Sequence, residues 1–324
     1  MLELPSAHTF ELSFRAQRGI CFLLVLGAFA CPYSHGQVQR PRILGISHVR
    51  IRVSDFCKAQ DFYFKTFGQR PYCPVAQRPE GGWNEGGSVT LWSSQEITLN
   101  VNSLYAPSSP NRSSLLEEVG FLTDDAAGLR QYLKSRNVPI DMDEVDSRVL
   151  PRFLVHDPEG HRIQFVERIV TPSQDSPLSQ IQSHIIHVGF AVRDRAAMDS
   201  FYKDILGFHI YWHGGMTDEQ TNWVDMQVPD GTDWLEYMLN VAPDASHKTL
   251  GVMNHVALGV SDIHEAQRQL IKNGWKGTEQ PQIGRDGKWQ LNLYDPDDTR
   301  IELMEFMPTQ KPCCSEYSGP HPKP

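Results

Sequence analysis

The sequence predicts an α+β protein of four βαβββ modules, paired into two tandem domains, and three observations carry that prediction. Two stretches open alike, His48-Val49-Arg50-Ile51-Arg52-Val53 and His187-Val188-Gly189-Phe190-Ala191-Val192. From each His it is 14 residues to a Phe-Tyr pair (Phe62-Tyr63, Phe201-Tyr202) and 20 to a Gly (Gly68, Gly207). Each stretch has a companion, Glu118-Val119-Gly120-Phe121-Leu122 for the first and His255-Val256-Ala257-Leu258-Gly259-Val260 for the second. Each companion runs on to an Asp-Pro turn, Asp157-Pro158 or Asp295-Pro296, and a last apolar strand. The units begin near Ile46, Leu116, Ile185 and Met253.

In chain order, the first segment stands apart. Arg15 and Arg18 precede an apolar run, residues 19–30, that is too short to span a bilayer and closes in Ala28-Phe29-Ala30. Residues 1–30 therefore read as an export signal, which places the mature chain in the periplasm or outside the cell without an integral membrane span. Cys31, just past the break, is a candidate for lipidation. Residues 31–42 form a linker and 43–168 the first domain. Thr171-Pro172-Ser173-Gln174-Asp175-Ser176-Pro177 marks a second linker over 169–183, and 184–307 form the second domain. The Pro-rich tail, 308–324, is expected to be disordered.

Within the modules the periodicities alternate. Ala197, Met198, Phe201, Tyr202, Ile205 and Leu206 fall at helical spacing before Gly207, as do Ile263, Ala266, Leu270 and Ile271 before Asn273-Gly274. Residues 223–228 and 289–294 alternate like half-buried strands. The chain has 324 residues, 40% of them hydrophobic and 21% charged, and a net charge of −9, which argues against nucleic acid or an anionic membrane face as partner. Six cysteines include no C-x-x-C pair, so a zinc knuckle is not indicated. In an oxidising compartment Cys57 and Cys73 are able to pair.

Paired strand-helix-strand-strand-strand modules resemble the vicinal oxygen chelate superfamily: glyoxalase I, extradiol dioxygenases, epimerases, and fosfomycin- and bleomycin-resistance proteins. The resemblance covers about residues 43–307. It implies that two modules curl into a half-barrel cup around a metal, and that one chain with two such domains is complete as a monomer. One fold hosts several chemistries, so the site must decide the function.

In the second half His187 and His255 lie on module-opening strands, and Glu236 and Glu302 on module-closing strands, with separations of 49, 19 and 47 residues. Because the modules present equivalent positions, a pseudo-twofold brings the four side chains to one point. Two imidazoles and two carboxylates suit a divalent Ni, Co, Zn, Mn or Fe ion. Glu305, three residues beyond Glu302, falls on the opposite strand face. The first half has His48, Glu96, Glu118 and Gln164 at these places, a poorer metal set that points to a structural or substrate-shaping role. Arg52 and Asn100 follow His48 and Glu96 by four, where glyoxalase I-like proteins hold glutathione. The second half has Ala191 and Asn240 there, which splits those determinants from the metal ligands.

The His-Glu-His-Glu set is similar to glyoxalase I and implies proton transfer beside a carbonyl of a small oxygen-rich substrate, through a metal-stabilised enediolate, as in an isomerase, lyase or epimerase. Glu302 is the expected base and Glu236 the alternative, with His187 and His255 as ligands. An extradiol dioxygenase is the second enzyme reading, with His187, His255 and Glu302 as the facial triad. Against it, the signature Tyr three residues before the Asp-Pro Asp is Asn292 here, Tyr294 being adjacent instead, and no His lies between His264 and Glu302 to act as acid-base. The four-residue set favours isomerase-type chemistry. A metal-free small-molecule binding protein of the bleomycin-resistance type is the third reading. Trp212, Trp223, Trp289 and Tyr237 are candidates to line the cup.

Overall fold

The structure is a computed structural model that describes residues 39–69, 87–90, 95–100, 116–147, 150–167, 181 and 184–324. The expected export signal, Cys31, Cys73 and most of the inter-domain linker lie outside the described residues.

The four-module reading holds. The first module supplies β1 (Ile43–Arg52), α1 (Phe56–Gln60), β2 (Gly87–Thr90) and β3 (Glu96–Asn100), and the second supplies β4 (Leu116–Thr123), α2 (Ala126–Ser135), β5 (Met142–Glu144), β6 (Arg152–His156) and β7 (Arg162–Glu167). The third has β8 (Ile185–Ala191), α3 (Arg195–Asp199), β9 (His209–Gly214), β10 (Trp223–Gln227) and β11 (Trp234–Met238). A short α4 (His247–Met253) leads into the fourth: β12 (Val256–Val260), α5 (Ile263–Lys272), β13 (Gln282–Ile283), β14 (Trp289–Tyr294) and β15 (Arg300–Glu305). Among the described residues the first two modules form one sheet, β2-β3-β1-β4-β7-β6-β5, and the last two another, β13-β14-β15-β12-β8-β11-β10-β9.

Both sheets follow one plan. The two module-opening strands pair antiparallel at the centre, β1 with β4 and β8 with β12. Each closing strand then lies parallel to its own opener: β3 on β1, β7 on β4, β11 on β8 and β15 on β12. Two or three residues beyond each opener an Asp caps the following helix: Asp55, Asp125, Asp194 and Asp262 accept from backbone N–H groups of the first turn. Glu167 and Glu305, at the ends of the last strands, accept from Ala126 N and Ile263 N at the starts of α2 and α5.

The sequence reads 197–206 as one α-helix, but α3 gives way to a π turn at Ser200–Ile205, and α1 does the same at Asp61–Lys65. These wider turns carry the Phe-Tyr pairs, whose adjacent rings meet edge-to-face at 5.0 Å in both halves. The repeated motifs then meet across the halves. Tyr63 donates to Asp295 Oδ2 at 2.9 Å, and Tyr202 donates to Asp157 Oδ2 at 3.1 Å. The same two aspartates close their own turns, accepting from the N–H groups of Asp297 and Thr299 and of Glu159 and His161. Asp297 caps Ser54 N, while Glu159 caps Arg193 N and Asp194 N. Gln95 adds a clip: its amide donates to Ile46 O at 2.9 Å and Ile185 O at 3.1 Å. Asp233 accepts from Ile46 N at 2.7 Å.

The expectation of a disordered tail is corrected. Residues 308–324 have little regular structure but lie along β9: Ser315 Oγ accepts from His213 N at 3.0 Å, Ser318 N donates to Tyr211 O at 3.0 Å, and Trp212 Nε1 donates to Cys313 O at 3.2 Å. Prolines gave the segment its disordered appearance, but it satisfies the edge of β9 and stacks Tyr317 on Tyr211 with ring centroids 4.7 Å apart. Cys313 and Cys314 are joined by a disulfide, and Cys57 is also disulfide-bonded. No helix among the described residues is long and apolar enough to cross a membrane.

Two predictions follow from these cross-half bonds. Tyr63→Phe and Tyr202→Phe each remove a buried donor from a carboxylate, so each should lower stability by about 1.5–3 kcal/mol; a urea midpoint that does not move in either variant would refute the clamp. Burial pushes the Asp233 carboxyl up to about 7, against the Ile46 N–H that favours its charge, with His184 Nε2 4.0 Å away. A folded-state value above the unfolded one (about 3.9) contributes stability at acid pH that is lost as pH rises from about 4 through about 7. Asp233→Asn should flatten that part of the stability–pH curve and exceed the parent above pH ~7.

Candidate metal centre

The centre of the second sheet brings all four sequence-predicted residues together. Ala257 of β12 is register partner to both His187 of β8 and Glu302 of β15, so His187 and Glu302 flank one strand. His255 immediately precedes β12, and Glu236 on β11 is register partner to Gly189. That glycine is required: a Cβ on Gly189 would lie 2.0 Å from the His255 ring. The first half repeats the arrangement, with the His48 ring over Gly120.

His187 Nε2 and His255 Nε2 are 3.0 Å apart. Glu236 Oε2 lies 3.2 Å from His255 Nε2 and 3.9 Å from His187 Nε2, and Glu302 Oε2 lies 3.5 and 3.8 Å from the same atoms. Two nitrogens each about 2.1 Å from one ion, at near right angles, stand about 3.0 Å apart. Donor geometry agrees. His255 Nδ1 lies 3.0 Å from Met253 O and 2.7 Å from Arg300 Nη2; donation to the carbonyl leaves the neutral ring a lone pair at Nε2, which Arg300 Nη2 faces at 2.8 Å. Burial holds both imidazoles well below their ordinary range, helped by the Arg300 charge and, for His187, by its neighbour His255. Burial also pushes Glu302 up to about 8 and Glu236 up to about 7, against the pull of Arg300. Neutral imidazoles facing buried carboxylates that lack sufficient counter-charge are a donor set that fits a divalent cation. The tightest convergence is His187, Glu236 and His255.

Arg300 is a site residue that the motif reading missed. It sits two residues before Glu302 on the same face of β15, its Nη2 2.8 Å from His255 Nε2 and 3.8 Å from Glu302 Oε2. The signal was available in the repeat, where Arg162 stands two before Gln164. There Arg162 binds Glu118 at 3.1 Å, Arg50 approaches at 3.5 Å and His48 at 3.4 Å. Burial opposes a charge on Glu118, but these partners hold its carboxyl down at about 2. In this half Glu96 accepts from Thr98 instead, so an ion-pair cluster stands where the other half gathers ligands.

A cavity of about 360 Å³ opens on the centre, lined by His187, Glu236, Arg300 and Glu302 and walled by Asp225, Asn292, Trp212, Trp223 and Trp234. Trp289 and Tyr237 do not line it; Trp289 packs on His264 and Tyr237 is core. Glu305 caps α5, clear of the cavity. His187 Nδ1, Asp225 Oδ1, Trp234 Nε1 and Asn292 Oδ1 have no hydrogen-bond partner. Behind this wall Lys288 is wholly buried, its Nζ 3.4 Å from Tyr211 OH, 4.7 Å from the Trp234 ring centre and 5.4 Å from that of Tyr317. Burial brings Lys288 down to about 8, against the carboxylates of Asp286, Asp225 and Glu302.

Residues 184–303 match the family model described as the Glyoxalase/Bleomycin resistance protein/Dioxygenase superfamily. No curated protein matches the sequence. Among solved structures, a variant of homoprotocatechuate 2,3-dioxygenase from Brevibacterium fuscum is 16% identical, with TM-score 0.59 over 82% of this chain and 72% of that one. The enzyme of that name from Arthrobacter globiformis is 18% identical, with TM-score 0.57 over 82% and 80%. BphC, a halotolerant catechol dioxygenase, is 13% identical, with TM-score 0.55 over 82% and 87%. At these identities the likeness is one of fold, and it runs through both halves. Residues 184–303 thus match the glyoxalase, bleomycin resistance protein and dioxygenase superfamily, and the chain carries the two-domain vicinal oxygen chelate fold.

Proposed function

We propose that the chain is a metal-dependent enzyme that takes a small substrate by two neighbouring oxygens at His187, His255 and Glu302 and oxygenates it in the manner of an extradiol dioxygenase. One observation carries the reading: among the described residues, only the second of two tandem domains gathers two imidazoles and two carboxylates at a cavity, within a fold shared along 82% of the chain with extradiol dioxygenases. A bound divalent ion would supply Lewis-acid charge to the substrate oxygens and, as iron, redox chemistry. The protein's own groups do the rest. His187 and His255 hold the ion, with Met253 O fixing the His255 ring. Arg300 offsets part of the carboxylate charge. Asn292 replaces the expected Tyr, and Glu236 is the carboxylate at the centre left outside the His187, His255 and Glu302 set, so Glu236 takes the substrate proton.

Glu236 also favours the second reading, glyoxalase-like isomerisation, because it stands where a fourth ligand belongs, 3.2 Å from His255 Nε2. Disulfides at Cys57 and Cys313–Cys314 support the export inferred from residues 1–30.

Anaerobic reconstitution tests the centre. The chain should take up about one equivalent of Fe(II), Ni(II) or Co(II), and the His187→Ala/His255→Ala double variant should lose it; equal metal content in the two proteins would sink the ligand assignment. Glu236→Gln separates the chemistries. Oxygenation expects retained metal, oxygen uptake with catechols by the iron form of the parent, and turnover reduced about 10²–10⁴-fold in the variant. Isomerisation expects weakened metal binding in the variant and Ni or Co activity on a hemithioacetal in the parent. A parent that binds metal yet performs neither reaction leaves the small-molecule binding reading.

A further inference from the structure

The C-terminal tail is fastened to the cavity wall at one dipeptide. Cys313 and Cys314 are neighbours in sequence and share a disulfide, so their sulfurs close a small ring through the peptide bond between them. Cys314 is exposed and Cys313 half-buried. Cys314 has φ +70°, a left-handed conformation that a non-glycine residue keeps only under restraint, and the ring supplies one. Cys313 N donates to Arg285 O at 2.9 Å, and Cys313 O accepts from Trp212 Nε1 at 3.2 Å. Arg285 and Trp212 both line the cavity. The Arg285 guanidinium also reaches the dipeptide: its Nη2 lies 3.8 Å from Cys314 Sγ and pairs with Asp218, while its Nε donates to Gly215 O at 3.1 Å.

The Asp218 carboxylate and the two sulfurs offer ligand atoms within 4.8 Å of one another, a grouping of metal-ligand types. Sulfurs joined to each other offer no thiolate, however, and the carboxylate already pairs with a guanidinium, so the cluster does not suit a cation. It suits an anion that attacks sulfur. We propose that the Cys313–Cys314 disulfide is a redox-modification site, opened by a dithiol reductant at the exposed Cys314 sulfur, and that opening it releases the tail from the cavity wall at Trp212 and Arg285. The first thiolate of the reductant attacks Cys314 Sγ, forms a mixed disulfide and expels Cys313 as a thiolate. The second thiol of the reductant then attacks its own sulfur in the mixed disulfide and expels Cys314 as a thiolate beside Arg285. The reductant ends as a disulfide, having given up two electrons, and its two protons end on the two thiols of the chain. A guanidinium favours the thiolate that arrives and the thiolate that leaves. With the ring open, Cys314 returns to negative φ, and the Cys313 peptide is no longer held against Arg285 O and Trp212 Nε1. Nothing in this step involves the metal centre.

The full chain is treated with graded dithiothreitol, and free thiols are trapped with iodoacetamide and located by peptide mass mapping. Cys57, which is also disulfide-bonded, is the internal reference. Cys313 and Cys314 should open at least about tenfold faster than Cys57, and Arg285→Gln should slow their opening about tenfold. Amide hydrogen exchange is then followed at a dose that leaves Cys57 bonded. It should rise about tenfold or more at Cys313, whose N–H is held by Arg285 O, and at His213, whose N–H is held by Ser315 of the tail. The Cys313→Ser/Cys314→Ser double variant should show the raised exchange without reductant and no further rise with it. A Cys313–Cys314 bond that outlasts the Cys57 bond would overturn the modification site. Opening that leaves the Cys313 and His213 amides protected would overturn the release of the tail. An unchanged rate in Arg285→Gln would overturn the part given to Arg285. The parent measurements need no variant to fold.

Discussion

The antiparallel pairing of β8 with β12 is the constraint on which the site depends. It aligns the two module-opening strands so that one imidazole comes from β8 and the other from the step into β12, their Nε2 atoms 3.0 Å apart. The parallel addition of β11 and β15 on either side then delivers Glu236 and Glu302. No loop has to be ordered for these four groups to meet; the ladder hydrogen bonds fix them. Such placement on strands holds ligand atoms more closely than loops do. The bare backbone at Gly189 belongs to the same design, because the His255 ring occupies the space a side chain would take.

The halves hold one another through the most repeated words of the sequence, not through the site. The Phe-Tyr pairs and the Asp-Pro turns recur in each half, and each Tyr finds the Asp of the other half. Two equivalent, buried bonds thus tie the halves together. This explains why a half without a convergent ligand set keeps its modules intact: Asp157 and Tyr63 of the first half anchor the second.

Much of this was legible in the residues. The module plan, the central strands and the four convergent side chains follow from repeat position and strand period, since pseudo-symmetry turns equal sequence offsets into one point in space. The π turns were not legible, because helical spacing of apolar residues does not distinguish an i+4 from an i+5 ladder over one turn. Arg300 escaped because a cation beside metal-ligand types looks like an exposed strand-end residue until the strand face is known. The tail escaped for another reason: its prolines suppress regular structure, yet seating depends on Tyr317, Ser315 and Ser318 finding partners on β9, which are remote in sequence. Asp225 and Lys288 carry no motif, and only burial marks them.

The ion-pair cluster of the first half has a consequence for descent. Suppose the two domains arose by duplication of an ancestor with ligands in both. Exchange of a His for Glu118 brought in a permanent anion that Arg162, Arg50 and His48 now surround. Reversing that one step would strand two guanidinium groups against an uncharged ring, and breaking a buried pair in this way costs about 3–5 kcal/mol. That is a large share of a domain's stability. The way back to a second metal centre therefore runs through poorly folded intermediates. The first domain is held in its present form by the electrostatics of its own interior.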